Sequence, residues 1–380
     1  MASFDFKELD SSLVYIHGSL DFDDRPEGVG VRRLPRWTRS QIPQGLDVMA
    51  RMPSGVRIQL LTNANEINLE ALTTAFRFED GKPASVPFQL QIGSTLHTQF
   101  MSRGHYIKPD ESSPNGFELV RGEPEVISFS DLPEGEKYCE IWLPHNAYVT
   151  LRRLEINDSA SLLPLPNESR KRWIHYGSSI SHCMEAKLPS ETWPAVAARR
   201  AGLSLMSFGV GGQCHLDQFV ARTIREQDCD FISMKIGINI INMDSMKERV
   251  FTPAMHGFLD TIREKQPLTP ILVISPIYCP SAETYPGPTI PDGNGKFRTN
   301  ETNLNTGSMT LTRVRAILQD VVERRRADGD VNLDYFNGLE LFAEPDRVDL
   351  PDDLHPNPAG YIRMGNRFYE KYLEKFVPQL

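Results

Sequence analysis

Two patterns of apolar and polar positions divide the chain. From about residue 10 to 158, apolar residues recur at every second place in short runs: Val56, Ile58 and Leu60 alternate with Arg57 and Gln59, and Ile67, Leu69 and Ala71 with Asn68 and Glu70. Successive side chains of a strand point to opposite faces, so a period of two marks a sheet with one buried face. Phe88–Ile92, Val126–Phe129 and Cys139–Leu143 repeat the pattern, and Val149–Ile156 reads as the last strand of the region. Turn formers separate these runs at Asp80-Gly81-Lys82-Pro83, Ser113-Pro114-Asn115-Gly116 and Leu132–Glu136. Helical periodicity is almost absent, which predicts an all-β, antiparallel sandwich of jelly-roll type.

Residues 159–171, with Pro164 and Pro166 and a polar end, read as a linker. Beyond it, short apolar runs alternate with stretches of helical spacing. Strands are expected at Trp173–Tyr176, Leu203–Phe208, Phe231–Ile236, Ile271–Ser275 and Val331–Phe336. Helices are expected from about Pro194 to Gly202, Leu216 to Glu226, Phe251 to Glu264, Leu311 to Arg326 and Gly360 to Phe376. Proline suits the first helical turn and glycine the stop, as at Pro194 and Gly202. Strands and helices in alternation predict an α/β domain, a parallel sheet covered on both faces in three α/β/α layers. The expected division is 1–165 and 166–380. Residues 276–305, rich in Pro, Gly and Asn, are long for a connection and read as a lid or binding loop.

Composition narrows the function classes. A chain of 380 residues exceeds the size at which one core keeps growing, in keeping with two domains. Its 40% hydrophobic and 24% charged content is that of an ordinary globular protein. A net charge of −9 argues against general binding to nucleic acid or anionic membrane, since both need clustered Lys and Arg. No apolar run reaches membrane-spanning length, and the first residues, with Asp5 and Glu8, lack a signal-peptide core. The five cysteines are odd in number and widely spaced, as expected of reduced thiols in a cytoplasmic protein.

Candidate chemistry gathers where the strands of the second half end, the edge at which open α/β sheets bind ligands. Trp173–Tyr176 runs into Gly177-Ser178-Ser179-Ile180, a strand-to-turn corner that presents small hydroxyls. The second strand runs into Ser207-Phe208-Gly209-Val210-Gly211-Gly212, whose glycines suit either a plain turn or a loop with exposed N–H groups. Gly237-Ile238-Asn239 follows the third strand, with Asn239 either a turn residue or a side-chain donor. Near the end stands Asp352-Asp353-Leu354-His355-Pro356. That motif is either an acidic surface turn or an acid and imidazole three residues apart, close enough for the carboxylate to fix the ring tautomer.

In this order the four stretches resemble the SGNH, or GDSL-like, serine hydrolases over about residues 172–378. The resemblance implies Ser179 as nucleophile, His355 as base, Asp352 as its orienter, and the Gly212 N–H and Asn239 side chain as oxyanion donors, with the Ser179 N–H a third. Ser178 stands where the family has Asp, and Ser207 where it has Asn. A jelly-roll before such a domain is similar to certain carbohydrate esterases and to GDSL-like acyltransferases. The implied reaction is hydrolysis of a small acyl group from a carbohydrate or small-molecule ester through an acyl-enzyme. Its alternative is transfer of the acyl group from an activated ester or thioester to a hydroxyl. Trp142 reads as core or, with His145 and Asn146, as part of an acyl pocket or acceptor entrance. A catalytically degenerate glycan-binding protein is the reading from another class. No cofactor or metal is implied: His175, His182 and His215 lie near Cys183 and Cys214 without zinc-ligand spacing.

Overall fold

The computed structural model describes residues 1–77, 85–110, 112, 113, 116–299 and 307–380. The turn cluster at 80–83 lies outside the described residues, as do Pro114 and Asn115 of the second cluster. The chain forms two compact units: one holds Met1–Arg39, Ala50–Ser169 and Lys187–Ser190, the other Ser40–Met49, Arg170–Ala186 and Glu191–Leu380.

The first unit is built on two sheets, of eight and six strands. The pairing is mostly antiparallel, with Ile67–Phe76 and His105–Pro109 running parallel. Ile67, Leu69, Leu151, Leu154 and Ile156 of the larger sheet share one core with Ile58, Leu60, Phe88, Leu90 and Ile141 of the smaller. The alternating positions therefore close a β-sandwich, as the period of two requires.

Three local features depart from expectation. Arg57 and Gln59, placed by alternation on a solvated face, are buried. Arg57 Nε and Gln59 Nε2 each donate to Glu140 Oε1 at 3.0 Å, so the desolvated charges are paired across adjacent strands. The same face buries Trp142 in this unit, with Nε1 donating to Gln91 Oε1 at 2.9 Å and Arg57 over the ring. Second, the stretch read as sandwich contains a helix, Gln44–Ala50, of which all but Ala50 belongs to the second unit, with Leu46 and Ala50 buried at i and i+4. Two turns carrying Gly45 and Val48 are too short to show a period of 3.6. Third, Val149–Ile156 is not the last strand: Leu162–Leu163 pairs with Arg57–Thr62. Two residues cannot display alternation.

The second unit is α/β. Its parallel strands are β1 (Arg172–Gly177), β2 (Ser204–Gly209), β3 (Phe231–Lys235), β4 (Ile271–Ile274) and β5 (Leu333–Phe336), in the order β2-β1-β3-β4-β5. Its helices include α1 (Ser179–His182), α2 (Trp193–Ala201), α3 (Gln218–Arg225), α4 (Ile238–Asn242), α5 (Glu248–Arg263), α6 (Leu311–Ala327) and α7 (Pro358–Phe368), the last continued by a π-helical turn, Tyr369–Leu373, and the short helix Glu374–Phe376. Strand β1 shows why both faces are covered. Trp173 meets Trp193 of α2 and Phe368 of α7, whereas Tyr176 stacks on Phe258 of α5 with ring centroids 5.3 Å apart. Gly202 caps α2 at φ 66°, a conformation glycine adopts without penalty. Helices α1 and α4, each about one turn long, are too short to show a helical period in the sequence. The strand order reverses at β1, which opens a crevice at the carboxyl ends of β1 and β3.

Candidate active site

Strand β1 ends at Gly177, and Ser178 caps the short helix α1, its hydroxyl accepting from the Ile180 N–H at 3.3 Å. Ser179 is thereby the first residue of α1, turned up at the sheet edge. The corner is tight. A Cβ on Gly177 would lie 2.3 Å from Ser181 Oγ, and one on Gly209 would lie 2.5 Å from the backbone of Ser181 and His182. Both positions are therefore closed to any larger residue, and the glycines that looked like turn formers are required for packing.

The corner stands on a buried network. His175, fully buried, bonds Ser233 Oγ through Nδ1 at 2.7 Å and Ser181 Oγ through Nε2 at 2.8 Å. Burial, with the charge of Lys235, pushes its pKa down to about 3, so the ring is a neutral strut. His215 bonds the Gly212 carbonyl through Nε2 at 3.1 Å and Ser245 Oγ through Nδ1 at 2.9 Å. His182 lies buried in α1. Burial likewise lowers the pKa of Lys235, at the end of β3, to about 8.

The loop before α7 carries the facing groups. Asp352 Oδ1 accepts from the N–H groups of Leu354 and His355 at 2.9 and 2.7 Å, and Oδ2 lies 2.7 Å from His355 Nδ1. Burial acts to raise the Asp352 pKa, but the bonds and charge of His355 outweigh it and hold the carboxyl below its ordinary value. An ionised carboxylate only accepts, so the Nδ1 of His355 carries the proton and Nε2 presents its lone pair. That Nε2 lies 3.0 Å from Ser179 Oγ, across 176 positions of sequence. Burial pulls the His355 pKa down, yet the Asp352 bond and the charges of Glu185 and Asp352 leave it above the ordinary 6.5.

Two further loops reach this edge. Gly211 lies against the serine: a Cβ there would be 3.9 Å from Ser179 Cβ and 3.0 Å from Met49 Sδ. Gly212 follows in the left-handed region at φ 68°. Asn239 is not in a turn but in the first turn of α4, behind Gly237 at φ 127°. Its Oδ1 accepts the Cys214 N–H at 3.0 Å, which ties the glycine loop to α4 and leaves the Nδ2 end for donation.

Residues 175–363 match the GDSL-like Lipase/Acylhydrolase family. This part of the chain belongs to it. Gly177, Ser179, Gly212, Asn239, Asp352 and His355 all fall within the matched stretch. Several solved structures are similar over nearly the whole length. The salicylyl-acyltransferase SsfX3 from a tetracycline biosynthetic pathway is 26% identical, covers 99% of this chain and 98% of its own, and superposes with a TM-score of 0.81. A family two carbohydrate esterase from Clostridium thermocellum, in an active-site mutant, is 14% identical, with 97% and 99% covered and a TM-score of 0.61. The acetyl xylan esterase Est2A from the rumen bacterium Butyrivibrio proteoclasticus is 12% identical, with 99% and 100% covered and a TM-score of 0.53. No curated protein matches the chain. The family match and the first of these likenesses support a serine esterase or acyltransferase. Among the described residues, no helix is long and apolar enough to cross a membrane.

Sequence reasoning missed several residues at the GDSL-like edge. Phe297 donates its N–H to the Asp352 carbonyl at 3.1 Å and sets its ring edge-on to His355, with centroids 6.3 Å apart. It belongs to a hairpin, Thr289–Pro291 with Phe297–Thr299, inside the long loop singled out for its length. Residues 300–305 of that loop lie outside the described residues. Lys296 bonds Asp353 at 2.9 Å. Glu185 and Met49 carried no signal, since neither sits in a motif.

Proposed function

We propose that the protein performs acyl-ester chemistry through a covalent acyl-enzyme at Ser179. His355 Nε2 takes the Ser179 proton as Oγ attacks the ester carbonyl. The negative charge that forms on the carbonyl oxygen is met by the Gly212 N–H, the Asn239 amide and the Ser179 N–H. The imidazolium, steadied by Asp352, returns its proton to the departing alcohol, and water then resolves the acyl-enzyme by the same proton path. The observation that carries the reading is the unbroken chain Asp352 Oδ2–His355 Nδ1 and His355 Nε2–Ser179 Oγ at 2.7 and 3.0 Å. The substrate proposed is a carbohydrate or small-molecule ester with a small acyl group.

Transfer to a hydroxyl acceptor uses the same residues and is the second reading. The full-length likeness to a salicylyl-acyltransferase supports it. Incubation with an activated ester and a panel of hydroxyl acceptors separates the two: free acid forming faster than acylated acceptor supports hydrolysis, and the reverse supports transfer. A thioester donor belongs to the transferase reading. The domain assignment proposed is a jelly-roll sandwich over 1–165 and a catalytic domain over 166–380; the compact units differ from it in placing 40–49 with the latter and 166–169 and 187–190 with the former. A cytoplasmic setting is part of the proposal, supported by five free cysteines, four of them buried.

Two outcomes are expected. Asn239→Ala should lower kcat by about 10²–10³ with KM little changed, because a donor to the developing oxyanion acts chiefly in the transition state. Full activity in that variant would remove Asn239 from the oxyanion site. The base works only when neutral, and the raised His355 pKa places its loss of activity at a higher pH than an ordinary histidine would. A kcat/KM profile should therefore fall on the acid side with a midpoint above 6.5, and a midpoint below that value would contradict the assignment.

A further inference from the structure

His355 faces a second carboxylate. Glu185, in the segment after α1, places Oε1 4.0 Å from His355 Nδ1, on the ring nitrogen that already bonds Asp352 Oδ2 at 2.7 Å. The Glu185 side chain is not a loose surface group that happens to pass by. Its other oxygen, Oε2, accepts a 2.7 Å hydrogen bond from the hydroxyl of Tyr361, a fully buried residue of α7. Tyr361 lies six residues beyond His355, on the helix that the catalytic loop enters. The glutamate is therefore held between two groups supplied by the same end of the chain, with one oxygen fixed and the other directed at the imidazole. Its side chain is 40% exposed, so the carboxylate is not locked into the core.

We propose that Glu185 is a positioning residue for the base. It shares the Nδ1 side of His355 with Asp352, raises the affinity of the ring for its proton, and takes over the Nδ1–H bond when Asp352 is absent. The inference rests on the serine-hydrolase reading of Ser179 and His355. It adds a second acceptor to a nitrogen for which the sequence motif supplies one. The groups facing the ring are Asp352 on its own loop, Glu185 after α1, Phe297 of the hairpin, Ser179 of α1, and Lys235 of β3 acting at longer range. Of these, only the two carboxylates favour the imidazolium.

The test is a double-mutant cycle on the full-length protein, read as kcat/KM against pH with an activated ester. Glu185→Gln alone should move the acid limb to lower pH by about half a unit, the scale of one partly exposed charge near the ring. A merely structural role would leave that midpoint in place. Tyr361→Phe, which frees Glu185 without changing core volume, should move the limb in the same direction by less. In the Asp352→Ala background, where the place beside Nδ1 is vacant, Glu185→Gln should cost at least about tenfold, against about twofold with Asp352 present; so strong a departure from additivity is the signature of a shared partner. An unmoved limb, or equal costs of Glu185→Gln in both backgrounds, overturns the inference while leaving the hydrolase reading intact. Ser179→Ala run in parallel distinguishes the deeper failure: if that variant turns over normally, the hydrolase reading falls and this inference falls with it.

Discussion

Ser179→Ala is expected to abolish turnover, with kcat/KM down by on the order of 10⁴–10⁶, and to abolish labelling by a fluorophosphonate probe. The hydroxyl is the only atom removed, and its bond is to His355 Nε2 at 3.0 Å. The fold should not notice the change, because the local structure is held by backbone and by neighbours: the Cys183 N–H to the Ser179 carbonyl at 2.7 Å, and the Ser178 cap. Unchanged thermal unfolding beside lost activity would thus isolate the chemistry. Mass spectrometry of the labelled native protein should place the adduct on Ser179. An unlabelled, folded native protein would instead favour the degenerate, glycan-binding reading, for which the replaced Ser178 and Ser207 are the sequence argument.

Asp352→Asn should cost nearly as much, about 10⁴ in kcat/KM, by a different route. Asp352 Oδ1 is fixed by two backbone N–H groups, those of Leu354 and His355. An asparagine keeps those bonds only with its oxygen in that place, and its NH₂ then faces His355 Nδ1. Two donors cannot share one hydrogen bond, so the imidazole proton moves to Nε2 and the lone pair turns away from Ser179. The base is then present and correctly placed but holds the wrong tautomer. Labelling by the fluorophosphonate should slow in parallel with turnover, while stability changes little. Activity within tenfold of the native enzyme would show that Asp352 does not orient the base.

The replaced family positions have local physical substitutes. Ser178 caps α1 through its hydroxyl, a task that serine performs as well as aspartate. Ser207 is buried, with its hydroxyl accepting the Gly209 N–H at 3.4 Å. With serine at both positions, Ser179 Oγ still lies 3.0 Å from His355 Nε2.

Much of this protein was written in the chain itself. Residues whose role depends on near neighbours were legible: the period of two in Ile67–Ala71, the apolar run of β4, Gly202 as a stop, and the i,i+3 pairing of Asp352 with His355. Each is a local rule of backbone geometry, and the order of the four motifs then implied which groups meet. Tertiary structure decided the rest. It buried the polar alternates Arg57 and Gln59 around Glu140, brought Met49 from the first quarter of the chain against Gly211, and turned Phe297 and Glu185 toward His355. These contacts join residues far apart in sequence. No local periodicity records them, because they follow from where the sheet order and the loops bring the strand ends, and only the folded backbone fixes that.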